Sequence, residues 1–282
     1  MLPTLSSLLR RRSSLPWLIV LLGIVGALAG CGGGGSSSSS VDVITPAPSA
    51  PAAPYTYAGS LERDQSITSK LTGITYPFHV YLPPGYAGST TRYPVLYATD
   101  GQWIFSSFSR MLDQRRKDVI LVSIEQGPGD RRAIDYTLVG GSTYMRFLKE
   151  ELVPLIEARY RTSDTRSFVG TSYGGLLGAQ LLAKEPVAAP YFKNYLLFDG
   201  AFWALTGAIV AEEDARFATS KSLAVHLVLT SANAPGNVQD VDRYEARYRS
   251  RGYTGLTIDR KSFNIAHNDV ADPSFDWAAD LL

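Results

Sequence analysis

The sequence is poor in cysteine, in histidine and in charge of either sign. Its 282 residues include one cysteine and three histidines, and 27 basic residues against 26 acidic ones give a formal net charge of +1. One cysteine cannot form a disulfide within the chain, so the hydrophobic core must stabilise the fold in an oxidising compartment. The balanced charge lacks the basic excess typical of nucleic-acid-binding proteins. We therefore expect no nucleic-acid partner.

Long hydrophobic runs are also scarce, and the one near the start is too short to span a membrane. The stretch from Leu15 to Ala29 is interrupted by Pro16 and falls below the roughly 20 residues that a spanning helix needs. It follows three arginines and ends in the small residues before Cys31, which predicts a secretory signal peptide over residues 1–30. The ending Leu-Ala-Gly-Cys resembles the bacterial lipobox, which implies cleavage before Cys31 and lipid attachment to its thiol.

The position of Cys31 favours this interpretation over a simple signal peptide followed by a chance cysteine, because the chain has no other cysteine. Residues 31–56 are rich in Gly, Ser, Pro and Ala and predict a flexible tether. We therefore expect a monomer anchored by lipid alone to a membrane of the bacterial cell envelope, on its periplasmic or surface face. Without residues 1–30 the chain keeps 24 basic and 26 acidic residues, close to neutrality.

Residues 57–282 have the pattern of one α/β domain. β-forming residues alternate with polar ones over residues 60–68 and 74–82, which predicts an antiparallel hairpin. Short apolar segments then alternate with helical ones, with strands expected near residues 94–98, 119–124, 167–169, 195–198, 224–229 and 256–259. This alternation predicts a mostly parallel, twisted sheet with helices on both faces. Residues 200–221 are too few for a large lid, so we expect an open cleft.

The sequence Gly170-Thr171-Ser172-Tyr173-Gly174-Gly175 lies between a predicted strand and a Leu- and Ala-rich helix. A Gly-x-Ser-x-Gly sequence in that context predicts a nucleophile elbow, the sharp turn that carries the reactive serine of α/β-hydrolases. Side chains at positions 170 and 174 would collide with the neighbouring strand and helix. Ser172 is therefore the candidate nucleophile, and an ordinary glycine-rich turn is the alternative.

A serine hydroxyl needs a base to remove its proton, and the three histidines leave few choices. His79 and His226 fall within predicted strands, where we expect structural roles. His267 follows the last predicted strand, and loops after parallel strands gather at the edge of the sheet where ligands bind. His267 is therefore the candidate general base.

The acid that would orient His267 is less clearly indicated. It is expected after the strand ending at Leu229, but the first residues of that loop offer only Asn233. Asp240 is the first choice, and Asp199, directly after the preceding strand, is the second; Asp242 is a further candidate. A Ser–His dyad oriented by Asn233 or a main-chain carbonyl is the remaining possibility.

An oxyanion hole requires two N–H donors aimed at the developing charge. Tyr173 follows the nucleophile and supplies one, and we expect the other near Gln102, after the strand that ends before Asp100. A plain strand-to-helix turn is the alternative at that second position.

Two further patterns concern the surroundings of the site. Four aromatic residues in or beside loops at the same edge predict an aromatic cleft: Trp103, Tyr136, Tyr173 and Trp203. The charged runs at residues 130–132 and 247–251 are typical of solvated faces.

Several stretches together resemble the esterases related to esterase D and the enterochelin (ferric-siderophore) esterases. Over residues 60–280 the matching runs are Tyr93-Pro94-Val95-Leu96-Tyr97 before Asp100-Gly101, Arg132-Ala133-Ile134-Asp135-Tyr136-Thr137, residues 147–160, and the elbow. The resemblance implies an α/β-hydrolase fold and hydrolysis of carboxylic esters by a Ser-His-acid site without metal or cofactor. It carries over Ser172 and His267. The loop from Thr230 departs from the family by lacking the early carboxylate, and His267 is flanked by Ala266 and Asn268 instead of glycines.

We therefore expect a serine hydrolase that cleaves small-molecule carboxylic esters through an acyl-enzyme on Ser172. Siderophore-type esters are one substrate class that the resemblance implies. An acyltransferase of the same fold is an alternative, in which an alcohol replaces water. A binding lipoprotein with a disabled hydrolase cleft is another.

Overall fold

The computed structural model describes residues 54–282. The predicted signal peptide, the candidate lipidation site Cys31 and the predicted tether up to residue 53 lie outside the described residues. Contacts with the domain begin slightly before the expected boundary at residue 57, because the Tyr55 hydroxyl donates a 2.6 Å hydrogen bond to Asp113 Oδ2.

Eight strands form one mixed sheet in the order β1-β2-β4-β3-β5-β6-β7-β8. Strand β2 is antiparallel to β1 and β4, and every other neighbouring pair is parallel. The strands are β1 Ser60–Thr68, β2 Thr75–Leu82, β3 Tyr93–Thr99, β4 Ile120–Ile124, β5 Thr162–Thr171, β6 Asn194–Phe198, β7 His226–Ala232 and β8 Thr257–Phe263. The expected antiparallel entry hairpin and mostly parallel sheet are confirmed.

Helices connect the parallel strands. They are α1 Gly101–Gln114, α2 Arg132–Asp135, α3 Gly141–Phe147, α4 Val153–Arg159, α5 Tyr173–Ala183, α6 Gly207–Thr219, α7 Val238–Arg251 and α8 Ala271–Ala278. Short 3-10 turns occur at Tyr86–Gly88, Phe202–Ala204, His267–Asp269 and Ala279–Leu281, and Leu148–Leu152 is π-helical. No helix within residues 54–282 combines the length and the apolar character needed to cross a membrane.

Both faces of the sheet are covered, as the near-continuous burial of β4 and β6 requires. Helices α1 and α8 lie on one face, where the rings of Phe108 and Phe275 stack with centroids 3.8 Å apart. On the other face α3, α5 and α7 contribute buried side chains to a larger core cluster, among them Phe147, Leu177 and Tyr244. The two cores hold the sheet rigid, and the loops at the carboxyl ends of the parallel strands carry the candidate site.

The sequence predicts one helix over residues 144–159 with a bend at Pro154. The structure instead has α3, a π-helical segment and α4 in succession, with the irregular segment before the proline. Pro154 is the second residue of α4 and follows the π-helical segment without a break, so it has no N–H to donate within a continuous helical run. The wider π-helical turn accommodates the ring without breaking the helix.

Candidate active site

Ser172 lies at the turn between β5 and α5. Its backbone has φ 58° and ψ −115°, a conformation that a non-glycine residue adopts only when its surroundings impose it. Two hydrogen bonds hold the turn: the Ser172 N–H donates to Phe198 O at 3.0 Å, and the Ala201 N–H donates to Ser172 O at 2.9 Å. The neighbouring strand β6 and the loop after it therefore maintain the strained backbone that presents the hydroxyl.

The two glycines of the motif are required by close backbone contacts. A Cβ atom added to Gly170 would stand 2.3 Å from the carbonyl carbon of Gly174, and one added to Gly174 would stand 2.3 Å from Thr99 Oγ1. Both distances are far below van der Waals contact. The steric reason expected from the sequence motif is therefore present in the structure.

His267 contacts both Ser172 and a carboxylate. Its Nε2 lies 3.0 Å from Ser172 Oγ, and its Nδ1 lies 2.5 Å from Asp199 Oδ2. A 3-10 turn after β8 carries the histidine, and the His267 N–H donates to Pro235 O at 2.8 Å. With Nδ1 donating to the carboxylate, Nε2 is free to accept the serine proton, which is the tautomer that general-base catalysis requires.

The carboxylate beside His267 is that of Asp199, so the ranking that placed Asp240 first is wrong for this contact. Asp240 lies in the first turn of α7 and pairs with Arg243. Asp242 pairs with Arg260 at 2.8 Å. Asp199 directly follows β6, the strand that pairs with the serine-bearing strand β5, and this adjacency brings its side chain within reach of His267.

The loop after β7, where the acid was expected, holds Asp199 in place. The N–H groups of Ala232 and Asn237 donate to Asp199 Oδ1 at 2.9 and 3.0 Å, and Asn237 Nδ2 donates to Asp199 O at 2.8 Å. Asp199 has φ 42° and its side chain is fully buried. Sequence reasoning missed Asn237, whose role depends on a contact between residues 38 positions apart.

The other two histidines have structural partners, as their strand positions indicate. His79 Nδ1 accepts the Asp64 N–H at 3.1 Å, and its Nε2 lies 2.7 Å from Glu125 Oε1. His226 Nε2 lies 2.7 Å from Asp259 Oδ2. His226 is the first residue of β7 and not a central one, which places it at the amino end of the sheet, away from Ser172.

The two expected oxyanion donors lie in the first turns of helices. Tyr173 is the first residue of α5, and Gln102 is the second residue of α1. N–H groups at these positions have no acceptor within their own helix, and the helix dipole makes them favourable partners for an anion. The two helix starts lie close together, because a Cβ added to Gly174 would stand 3.5 Å from Asp100 Oδ2.

Arg132 belongs to the cleft and not to a solvated face, which corrects the interpretation of residues 130–132. Its Nε and Nη2 each donate to one oxygen of Asp100 at 3.0 Å. The guanidinium also lies 5.4 Å from the ring centroids of Trp103 and Tyr173. Burial lowers the pKa of Arg132. The hydrogen bonds to Asp100 and the charge of that carboxylate raise the pKa by more than burial lowers it, so the guanidinium remains charged.

A cavity of about 350 Å³ opens above the serine. Its lining includes Ser172, His267, Asp100, Arg132 and Trp103. Trp103 and Trp203 are 61% and 58% exposed. The Tyr173 and Trp203 rings lie 6.1 Å apart.

Three of the four predicted aromatic side chains reach the surface: Trp103 lines this cavity, whereas Tyr173 and Trp203 lie near each other and are not among its lining residues. Tyr136 is the exception, because it is fully buried, with Arg132 5.9 Å from its ring centroid. Its side chain belongs to the core and does not line the cavity.

The sequence matches the model of a known protein family. The model of the Esterase family, described as "Putative esterase", matches residues 69–239, more than half of the chain. The chain belongs to the Esterase family. The matched region contains Ser172, Asp199 and the Asp100–Arg132 pair, and it ends before His267.

One curated relative of this Esterase family member is distant in sequence. The uncharacterized protein YbbA of Bacillus subtilis (strain 168) is 26% identical over 145 residues, which is 45% of this chain and 57% of YbbA. The chain therefore spans less than two thirds of the length of that relative.

Solved structures share the fold. An IroE-like serine hydrolase from Shewanella oneidensis has a TM-score of 0.67 at 23% identity, covering 77% of each chain. The siderophore hydrolase EstA from Aspergillus nidulans has a TM-score of 0.66 at 17% identity, covering 80% of this chain and 94% of its own. These similarities show that the family member has an α/β-hydrolase-like fold, and among residues 54–282 no insertion is large enough to form a lid.

Within residues 54–282 no group of three or more histidine, cysteine or acidic residues is arranged to hold a metal ion. Ser172, His267 and Asp199 place a hydroxyl, an imidazole and a carboxylate within hydrogen-bond distance of one another in series.

Proposed function

We propose that the protein is a serine esterase that hydrolyses carboxylic esters through an acyl-enzyme on Ser172. The observation that carries this proposal is the connected series Ser172 Oγ, His267 and Asp199, with contacts of 3.0 and 2.5 Å, in an open cavity. Membership of the Esterase family supports the same class of reaction.

In the first half of the proposed reaction, His267 Nε2 accepts the Ser172 hydroxyl proton as Oγ attacks the acyl carbon. The carbonyl oxygen gains the negative charge, and the N–H groups of Tyr173 and Gln102 are the proposed donors to it. Asp199 stabilises the imidazolium that forms. His267 then protonates the alcohol oxygen as the carbon–oxygen bond breaks, which leaves the acyl group on Ser172.

In the second half, His267 accepts a proton from water as the water oxygen attacks the acyl-enzyme. Collapse of the second tetrahedral intermediate breaks the bond to Ser172 Oγ, and His267 returns the proton to the serine. An alcohol acting in place of water would make the protein an acyltransferase. Product analysis in the presence of methanol distinguishes the two activities.

The open cleft supports bulky esters as substrates. Trp103 lines the cavity and is largely exposed, so its ring is available to a substrate. Siderophore-type esters are the substrate class we propose to test after simple esters. Their support is the similarity in fold to solved structures that include siderophore hydrolases.

We also propose that the protein is a monomer held at a membrane of the bacterial cell envelope by lipid on Cys31. Support comes from the sequence Leu28-Ala29-Gly30-Cys31 after a basic and then apolar segment. The small-molecule ester would reach the cleft from the aqueous side.

Hydrolysis of short p-nitrophenyl esters tests the proposal. We expect Ser172→Ala and His267→Asn each to lower kcat by about 10⁴-fold or more, since each removes a member of the proton-transfer series. His226→Asn is the matched control, because His226 also pairs with an aspartate, at 2.7 Å, but lies at the amino end of β7. That variant is expected to keep kcat within about twofold.

Covalent labelling separates an enzyme of narrow specificity from a binding protein with a disabled cleft. A fluorophosphonate is expected to add to Ser172 in the unmodified protein and not in Ser172→Ala, as read by peptide mass spectrometry. A folded protein that neither hydrolyses esters nor takes up the fluorophosphonate would contradict the proposed function.

A further inference from the structure

The buried carboxylate of Asp100 lies where a negative charge would oppose ester hydrolysis. Asp100 immediately precedes α1, so it stands next to the N–H groups that open that helix. Its Oδ2 also lies close to the first turn of α5, at 3.5 Å from the position of a Cβ on Gly174. The carboxylate therefore occupies the junction of the two helix starts that would stabilise the oxyanion. A tetrahedral intermediate on Ser172 would bring a second negative charge into the cavity that Asp100 and Ser172 both line.

Arg132 neutralises this carboxylate in a geometry that leaves little of either charge solvated. Nε and Nη2 form two parallel hydrogen bonds of 3.0 Å to Oδ1 and Oδ2, and the two side chains are 18% and 5% exposed. Paired planar groups of this kind attract each other strongly because water does not screen them. The rings of Trp103 and Tyr173, each 5.4 Å from the guanidinium, restrict its movement further.

The same contacts argue against Arg132 as a free cation for an anionic substrate. Two of its three guanidinium nitrogens donate to Asp100, and its positive charge is matched by one carboxylate. A substrate carboxylate entering the cleft would meet a neutral ion pair. It would therefore gain little electrostatic energy in exchange for losing its own hydration.

We propose that Arg132 is a positioning residue that acts through Asp100. By neutralising Asp100 it leaves the oxyanion position electropositive, and the neutral pair makes the cleft selective for esters that carry no negative charge. This inference rests on the proposed function, since it concerns the same reaction at Ser172.

A double-mutant cycle on the full-length protein tests the coupling. Arg132→Gln removes the guanidinium that lowers the pKa of Asp100, a pKa that burial raises. At a pH above the pKa that Asp100 then has, its charge is uncompensated, and we expect kcat for p-nitrophenyl butyrate to fall about 100-fold with little change in KM. The double variant Asp100→Asn/Arg132→Gln removes that charge. We expect its kcat to be about tenfold higher than the kcat of Arg132→Gln. Asparagine suits position 100, whose φ of 63° is in the left-handed region.

The selectivity is tested with a second ester of similar size, the p-nitrophenyl monoester of succinic acid, whose acyl group carries a carboxylate. Asp100→Asn frees the Arg132 charge. For each protein the measured quantity is kcat/KM for the anionic ester divided by kcat/KM for the neutral ester. We expect this ratio to be about tenfold higher in Asp100→Asn than in the unmodified protein. Arg132→Lys keeps the charge without the paired hydrogen bonds, and we expect a loss of kcat smaller than that of Arg132→Gln.

Arg166→Gln is the matched control. Arg166 is also a partly buried arginine, with a 2.6 Å ion pair to Glu157 and an aromatic ring 4.6 Å away, but it lies in the middle of β5. Thermal unfolding followed by circular dichroism checks that each variant folds. If Arg132→Gln does not fold, a loss of kcat in Arg132→Lys together with the shifted ester preference of Asp100→Asn supports the proposal, and the absence of both overturns it.

The coupling between Arg132 and Asp100 can be absent while Ser172 still hydrolyses esters. Hydrolysis that depends on Ser172, with equal kcat in Arg132→Gln and in the double variant, overturns the coupling through Asp100 alone. An unchanged ester preference in Asp100→Asn overturns the selectivity. If neither ester is hydrolysed, the rate of labelling by a neutral fluorophosphonate is compared across the same variants. A folded protein that takes up no label overturns both proposals.

Discussion

At the scale of single residues, the surroundings of each carboxylate decide what it can do. Asp199 is fully buried, accepts N–H groups from Ala232 and Asn237, and lies against His267. Asp240 is partly solvated on α7 and pairs with an exposed arginine. The buried Asp199 carboxylate fixes the orientation of His267, whereas the Asp240 carboxylate forms an ion pair on the surface of α7.

Asp199→Asn is therefore expected to lower kcat by about 10³- to 10⁴-fold, because an amide favours the wrong tautomer of His267 and does not stabilise the imidazolium. Asp240→Asn serves as the comparison and is expected to change kcat less than about twofold. Steady-state hydrolysis of p-nitrophenyl butyrate by both variants checks this. A loss below tenfold in Asp199→Asn would show that Ser172 and His267 operate as a dyad.

Local sequence predicted Ser172 and His267, because an elbow and a loop after the last strand are properties of neighbouring residues. It ranked Asp199 second, because the choice between two loops depends on which strands are adjacent in space. It also assigned Arg132 to a solvated face, since a charged run looks the same whether or not a buried aspartate lies opposite. The partner of Arg132 is Asp100, 32 residues earlier in the chain, and the sequence around Arg132 does not indicate that pairing.

At the scale of elements, the segment before β1 is attached to the end of α1 by one carboxylate. Asp113 accepts hydrogen bonds from the Tyr55 hydroxyl and from the N–H groups of Ala58 and Gly59 at 2.6, 3.0 and 2.7 Å. Burial raises the pKa of Asp113, but these hydrogen bonds and one from Tyr81 lower it more, so the net direction is down. The Tyr55 pKa is raised to about 12, chiefly by its hydrogen bond to the same carboxylate.

We expect Asp113→Asn to lower the free energy of unfolding by about 2 kcal/mol at pH 7. A carboxylate whose pKa is lowered by folding stabilises the protein above its unfolded pKa of about 3.9, and this contribution is lost as pH falls through the folded pKa. The difference between variant and parent should therefore shrink below about pH 4. Urea unfolding at pH 7 and pH 3 measures it, with exposed Asp118→Asn as control; a difference independent of pH would contradict the assignment to charge.

Elements were predictable where periodicity or burial is continuous. The hairpin β1–β2 and the buried strands β3, β4 and β6 match their expected positions within about two residues. The π-helical segment Leu148–Leu152 was not predicted, because the sequence marks Pro154 but does not show how the preceding turn accommodates it. Likewise, Arg247 and Arg251, assigned to a solvated face, bond to the buried Glu213 from α6.

At the scale of the whole molecule, the proposed anchor and the folded domain are separate features of one chain. Cys31→Ala is expected to move the protein from the membrane fraction to the soluble fraction of the bacterial host, because a thiol is required for lipid attachment. Hydrolysis per folded molecule should be unchanged, since the proposed catalytic residues Ser172, Asp199 and His267 lie far along the chain from Cys31. Membrane association that survives the substitution would contradict lipid attachment at Cys31.

The fold class was predictable because alternating strands and helices permit few arrangements of a parallel sheet. The position of the site followed, since the carboxyl ends of such strands meet at one edge. What the pattern could not supply was the set of long-range contacts that complete the site. The loop after β7 illustrates this, because it supplies N–H donors to Asp199 where a carboxylate was expected.

The contacts that form the candidate site join residues far apart along the chain. Ser172 and His267 are 95 residues apart, and Asp199 and His267 are 68 apart. Contacts between such distant positions close large loops and form late in folding. A chain that emerges from its N-terminus therefore buries much of its core before His267 arrives. Ser172, the proposed nucleophile, therefore lacks its proposed base until the segment that carries His267 has packed beside it, and we expect any hydrolysis to begin only after the rest of the domain has folded.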